Sequence, residues 1–326
     1  MLVLIMGCAR PAMVPPAPIT SVSEDGLPAE LVVSGSLSER VRSDDASLVI
    51  YYGGEERGSL EPCGCPVLPR GGLARQAAYI SAARQASPSA GHLVVNGGYW
   101  LEDAVGLNGQ PRADTPVMNR WMSAGLSALG VDVLNVGYPD MAGLRSLGGA
   151  PSGLPLVSAN LVGAGIATSR VVVTGGLRVG VTGISTEGSR VLATPGFEVT
   201  DPVRAGREVL ESLAATSDVT VLLAYQAPEA ARRLARSGLV DVVIDVQQHR
   251  ERYAPIQVGG AVWVRSHYQT MRLGELRLDI EDGVVTGVLD RKIDLDPEVP
   301  SSPEVLSVVR SARAALDAVQ RELYGR

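Results

Sequence analysis

The amino-acid sequence predicts an α/β fold in which mixed sheets are covered by helices. Three observations carry this expectation. Between residue 47 and about residue 245, short runs rich in Val, Leu and Ile alternate with segments whose apolar residues recur at helical spacing. From residue 255 the pattern changes to strands alone, at 255–258, 260–265, 271–280 and 284–293. Between the last two strands, Asp282-Gly283 tolerates the positive φ angles of a tight hairpin turn.

The elements follow in order. Residues 9–45 read as a linker with one candidate strand at 31–34, and 47–52 is a short β-rich run. A helix is expected over 72–86, where Leu73, Ala77, Ile80 and Ala83 share a face, and a strand over 92–96. Residues 115–129 form a helix with Asp114 as a candidate N-cap, and strands follow at 131–136 and 154–159. The runs 170–175 and 177–182, split by Gly175-Gly176, read as a hairpin. Asp201 caps a helix reaching about residue 215; then come a strand (218–224), a helix (227–237) and a strand (239–245). Residues 302–323 form a final amphipathic helix whose stripe, from Val305 and Val309 to Leu316 and Leu323, suits docking on its own domain. The expected organisation is a signal remnant (1–8), a Pro-rich tether (9–45), one domain (46–296) and a C-terminal helix (297–326).

Composition narrows the function classes. The 326 residues are 45% hydrophobic and 20% charged, as in soluble globular proteins. A net charge of −6 speaks against a nucleic-acid partner, which a basic excess would accompany. With one Phe, three Trp and nine Tyr, the core must be mostly aliphatic. No apolar run of about 18 residues occurs beyond the N-terminal segment, so no membrane-spanning helix is expected.

Ile5-Met6-Gly7-Cys8 resembles a bacterial lipobox. That resemblance implies a signal peptide, lipidation of Cys8, and a chain anchored in the bacterial cell envelope on the periplasmic or outer-surface side. Pro11, Pro15, Pro16 and Pro18 follow in an almost uncharged stretch, which suits a spacer between membrane and domain. The partners expected on this reading are the membrane, through the lipid, and an envelope protein.

A series of landmarks then falls in a telling order. Residues 48–66 read L-V-I-Y-Y-G-G-E-E-R-G-S-L-E-P-C-G-C-P, with G-G-L-A-R at 71–75. H-L-V-V-N-G-G-Y-W spans 92–100, V-D-V-L-N-V-G-Y-P-D-M-A-G spans 131–143, and L-V-S-A-N-L spans 156–161. This order resembles the 5′-nucleotidase-like, calcineurin-like metallophosphoesterase superfamily over about residues 45–295. The L-E-P-C-G-C peptide before G-G-L-A-R is similar to a subset of exported lipoproteins within it. The resemblance implies a four-layer αββα sandwich of mixed sheets and a set of metal-ligand positions. A two-metal phosphoesterase fills those positions with Asp, His and Asn, because its ions clamp phosphate and generate the nucleophile. Here the first Asp position holds Glu55 and its His partner position Arg57. Tyr99 stands at the bridging carboxylate, Tyr138-Pro139 at the Asn-His pair with Asp140 next, and Tyr225 at the isolated His. In the last motif Gln247 replaces the first His and His249 remains. Glu55 and His249 are thus the residual metal-ligand candidates; one divalent metal is conceivable, a full di-metal centre is not expected. The expected function is a non-hydrolytic scaffold or binding lipoprotein, a pseudoenzyme. The alternatives are a thiol- or metal-dependent redox protein, and a nucleotidase with atypical ligands.

Cys63 and Cys65 form the most distinctive local motif. Two thiols across one Gly can reach each other, and the flanking prolines restrict the loop. Three readings stay open: a reactive or soft-metal-binding pair, a local disulfide that pins the loop, and a reduced pair without chemistry. Four Cys or His ligands at zinc spacing are absent. Arg57, Arg70 and Arg75 near this loop are candidates for anion binding or for lowering a thiol pKa. His92 reads as an edge residue, and His267 as a neighbour of the closing hairpins.

Overall fold

The computed structural model describes residues 26–103, 112–186, 196–247 and 254–325. In chain order its strands are β1 (Ala29–Val33), β2 (Leu48–Gly53), β3 (Gly91–Asn96), β4 (Val133–Asn135), β5 (Leu156–Val157), β6 (Leu161–Gly163), β7 (Ser169–Thr174), β8 (Leu177–Ser185), β9 (Phe197–Val199), β10 (Val219–Tyr225), β11 (Val242–Val246), β12 (Ile256–Val258), β13 (Ala261–Arg265), β14 (Arg272–Glu281) and β15 (Val284–Asp294). Its helices are α1 (Leu37–Arg40), α2 (Leu73–Ala86), α3 (Thr115–Leu129), α4 (Asp140–Ser146), α5 (Pro202–Ala214), α6 (Pro228–Ala235) and α7 (Pro303–Tyr324).

Two mixed sheets stack face to face. The first has the order β1-β15-β14-β2-β3-β4-β5 and the second β12-β13-β11-β10-β8-β7. In the first, β2 to β5 are parallel and β14 joins them antiparallel. In the second, β8, β10, β11 and β13 are parallel, with β7 and β12 antiparallel at the edges.

The layering follows from alternation along strands buried on both faces. In β2, Val49 and Tyr51 face α2, α3 and α7, while Leu48, Ile50 and Tyr52 face the other sheet. In β10, Val219, Val221, Leu223 and Tyr225 face the first sheet, and Leu222 and Ala224 face α5 and α6. Three separate cores result, one between the sheets and one under each helical layer, which is a four-layer αββα sandwich. The C-terminal helix α7 packs on α2 and α3, as its stripe suggests. Among the described residues no helix is long and apolar enough to cross a membrane.

Three local expectations need correction. The folded part begins inside the stretch read as tether: β1 pairs in parallel with β15, and α1 follows it. Arg40 at the end of α1 is buried and ion-pairs with Asp296 at 2.7 Å. Asp114 does not cap α3 through its side chain; its carboxylate pairs instead with Arg112, whose Nε donates at 3.0 Å. The strand expected at 154–159 shrinks to the two residues of β5. Asp201, by contrast, accepts the Arg204 N–H at 2.7 Å and caps α5 as expected.

Candidate functional site

The parallel strands of both sheets end on the same side, and there the sheets touch. A Cβ on Gly97 would lie 2.2 Å from Val246 Cγ2, and one on Gly137 would lie 2.9 Å from the Tyr225 ring. Only glycine lets the loops after β3 and β4 lie against the ends of β11 and β10. The loops after β2 and β3 run side by side: the N–H groups of Glu55, Arg57 and Gly58 donate to the carbonyls of Gly98, Tyr99 and Trp100 at 3.0, 3.1 and 2.9 Å. To make these bonds, Glu55, Arg57 and Tyr99 adopt φ angles of 62°, 51° and 61°. Non-glycine residues rarely occupy this left-handed region, and its cost points to a local constraint worth explaining.

The side chains displayed there form one cluster. The Arg57 guanidinium lies 4.7 Å from the Tyr99 ring centre and 5.3 Å from that of Tyr268. Its Nη2 is 4.0 Å from the Glu55 carboxylate. Tyr225 meets Tyr99 edge-on at 5.9 Å between ring centres and Tyr138 at 5.7 Å. Tyr225 is fully buried. Burial pushes its phenol well above the ordinary value, and the charge of Glu55 adds to this. Among the described residues the Tyr225 hydroxyl has no hydrogen-bond partner, and neither do Arg57 Nε and Nη2. The structure therefore brings together Glu55, Arg57, Tyr99, Tyr138 and Tyr225, carried by the loops after β2, β3 and β4 and by the end of β10.

Other matched positions have structural partners. Pro139 precedes α4, and Gln247 donates to both oxygens of Asp245 at 2.7 Å. Asp140 accepts the N–H groups of Tyr99, Gly137 and Leu101 at 2.7, 2.8 and 2.9 Å, so it clamps two loops together. Burial pushes its carboxyl up to about 7, against the backbone hydrogen bonds that hold it down. His249 and Cys8 lie outside the described residues.

Sequence reasoning missed two participants. Tyr268 reaches Arg57 from a 3₁₀ turn at Tyr268–Thr270, where Gln269 and Thr270 have φ angles of 47° and 44°. Glu56, next to the matched Glu55, is buried and accepts from Asn96 Nδ2 and Thr270 Oγ1, both at 2.7 Å. Burial raises its carboxyl. No local signal separates Glu56 from Glu55; only the left-handed turn decides which one faces the cleft.

Two divalent ions need several carboxylate, imidazole or amide donors. At the matched positions that are described, the candidate donors are Glu55, Asp140 and Gln247. Glu55 faces Arg57, Asp140 is engaged by three backbone N–H groups, and Gln247 is turned onto Asp245. No group of three or more His, Cys, Asp and Glu that could hold a metal occurs among the described residues. These residues do not fit a two-metal centre.

Cys63 and Cys65 are free, in the loop between β2 and α2. Cys63 donates its N–H to the Arg70 carbonyl at 2.8 Å, and its Sγ accepts the Arg70 N–H at 3.2 Å. Cys65 Sγ accepts the Leu68 N–H at 3.4 Å. The exposed Cys65 thiol is held below its ordinary value first by the backbone N–H groups of Leu68 and Val67, and only last by Arg70. The arginines have other work: Arg70 pairs with Asp294 at 3.0 Å, and Arg75 donates to the carbonyls of Pro69 and Leu295 at 2.7 and 3.0 Å. His92 is half-buried, stacked on Tyr51, and within 2.9 Å of the Ser87 carbonyl. His267 is pushed down to about 4, first by burial and then by Arg272, which leaves the ring neutral near pH 7.

The fold is that of the calcineurin-like, 5′-nucleotidase-like metallophosphoesterases. Sulfate thiohydrolase SoxB of Thermus thermophilus superposes with a TM-score of 0.68 at 16% identity, over 85% of this chain and 62% of that one. A 5′-nucleotidase precursor, also from Thermus thermophilus, superposes with a TM-score of 0.67 at 18% identity, over 84% of this chain and 60% of that one. The calcineurin-like phosphoesterase YfkN of Bacillus subtilis gives 0.65 at 18% identity, over 85% of this chain and 100% of that one. The chain thus spans less than two thirds of the first two proteins. At these identities the likeness is one of fold. No protein-family model matches the sequence, and no curated protein resembles it in sequence alone.

Proposed function

We propose that this protein is an envelope-tethered, non-hydrolytic binding or scaffold protein built on a phosphoesterase fold. The observation that carries the reading is Arg57. At a position the superfamily fills with a metal-binding His, the chain supplies a guanidinium, seated on Tyr99 and Tyr268 and facing Glu55. On this reading a positive charge built into the chain replaces exchangeable ions, and the rings of Tyr138 and Tyr225, 5.7 Å apart, take two further positions that the resemblance assigns to ligands. Such a cluster offers a polar ligand a fixed cation; the donors described there do not make up a set that would hold two ions and generate a hydroxide.

The test is hydrolysis of nucleotides and aryl phosphates with Mn²⁺ or Zn²⁺ added. The expected result is no cleavage above the buffer rate. Metal-stimulated turnover that disappears in Glu55→Ala or His249→Ala would sink the reading. The tether is tested separately. Cys8→Ser should move the protein from the membrane to the soluble fraction, and identical fractionation of variant and parent would refute lipid anchoring.

A further inference from the structure

The C-x-C loop is the feature that a cleft-based function leaves unused. We infer that Cys63 and Cys65 form a two-thiolate site for one soft monovalent cation of the Cu(I) type. The inference is independent of what the cleft binds.

Three observations carry it. First, both sulfurs accept backbone N–H groups, from Arg70 at 3.2 Å and Leu68 at 3.4 Å. At Cys65 such donors favour the thiolate, the form that ligates metal, and both sulfurs keep lone pairs for an ion. Second, the loop is already built. Cys63 bonds Arg70 through the main chain, the Gly71 N–H donates to the Leu295 carbonyl at 2.9 Å, and the Leu73 N–H to the Leu60 carbonyl at 3.0 Å. Arg75 fastens Pro69 to the end of the first sheet. The backbone around the pair is therefore held before an ion arrives, which lowers the ordering cost of binding. Third, the site is open. Cys65 is exposed and Cys63 half-exposed, and a Cβ on Gly64 would meet nothing within 4 Å.

Donor number and softness select the ion. Calcium and magnesium require oxygen ligands, and a structural zinc requires four donors. Among the described residues the two sulfurs have no third His, Cys, Asp or Glu grouped with them. Two thiolates suit a soft monovalent ion, which accepts two-coordination. Binding replaces two S–H bonds with two S–Cu bonds. Two protons go to solvent, and no electron is transferred.

The experiment uses the full chain carrying Cys8→Ser, which leaves only the loop thiols. The reduced protein is titrated anaerobically with Cu(I) against bicinchoninate, then desalted and analysed for copper. The expected result is about one copper per chain, a near-ultraviolet thiolate-to-copper absorption, and protection of both thiols from iodoacetamide. Cys63→Ser and Cys65→Ser should each abolish retention while far-ultraviolet circular dichroism stays unchanged; Zn²⁺ should be removed by desalting. Any of three results overturns the inference: equal copper retention by the Cys63→Ser/Cys65→Ser variant, no retention by a reduced parent whose two thiols both react with iodoacetamide before copper is added, or one copper per two chains. Because the parent titration is itself decisive, a variant that failed to fold would not rescue the claim.

Discussion

The protein holds arginines in two settings, one buried and one partly exposed, and the two are built on opposite terms. On the flank of the first sheet, Arg291 donates to Glu30 at 2.7 Å, Glu275 at 2.6 Å and the Arg40 carbonyl at 2.8 Å. Arg277 reaches both oxygens of Asp44 at 3.0 Å and Ser87 at 2.9 Å, and Tyr79 donates to Glu275 at 2.6 Å. In the cleft, Arg57 has a carboxylate only at 4.0 Å, and its Nε and Nη2 make no hydrogen bond among the described residues. A buried charge with every donor paired belongs to the architecture. A charge held over aromatic rings, with two nitrogens making no hydrogen bond among the described residues, supports the binding role proposed for the site.

Thermal and denaturant unfolding can break that contrast. Arg291→Ala should cost about 3–5 kcal/mol, because it leaves Glu275 buried without its main cation. Arg57→Ala should cost about 1 kcal/mol, the worth of its ring contacts. Equal losses would show that the cleft arginine is architectural too. The tyrosines sharpen the same point. Tyr79→Phe should lose about 1.5–3 kcal/mol by stripping a hydrogen bond from a buried carboxylate. Tyr225→Phe, which removes a hydroxyl with no hydrogen-bond partner among the described residues, should be neutral or slightly stabilising.

A smaller effect concerns Asp140 and pH. Its folded-state value, about 7, lies above its ordinary value of 3.8, so the folded state holds the proton more tightly than the unfolded chain. Asp140 therefore favours folding most at low pH, and its contribution falls as pH rises from about 4 to about 7. Asp140→Asn should remove that decline, changing the slope of stability over this window by at most about 1.4 kcal/mol per pH unit. Parallel curves for variant and parent would refute the assignment. Smallest of all, Asp201→Ala should cost about 1 kcal/mol through loss of the α5 cap, with no effect on the cleft.

Much of this architecture was legible before the structure. Strands such as β2 and β10 are apolar on both faces, and the Gly175-Gly176 turn and the Asp201 cap mark element ends. β1 was read within a linker because its partner, β15, lies at the other end of the chain. An edge strand with a mixed burial pattern carries little periodic signal. In the cleft, the order of landmarks located Glu55, Arg57, Tyr99, Tyr138 and Tyr225, which do converge. It could not find Tyr268, brought in by a left-handed turn, or foresee that Asp140 would clamp loops. Nor could it weigh backbone N–H groups against arginines around Cys65, since those donors exist only once the loop is folded.

The left-handed backbone at Glu55, Arg57 and Tyr99 has an evolutionary consequence. Glycine at each of these positions would relieve roughly 1–2 kcal/mol of backbone strain, at the loss of the side-chain contacts made there. Substitution toward glycine therefore trades backbone strain against those contacts. This chain has instead a carboxylate, a guanidinium and a phenol at the three positions, in contact with one another.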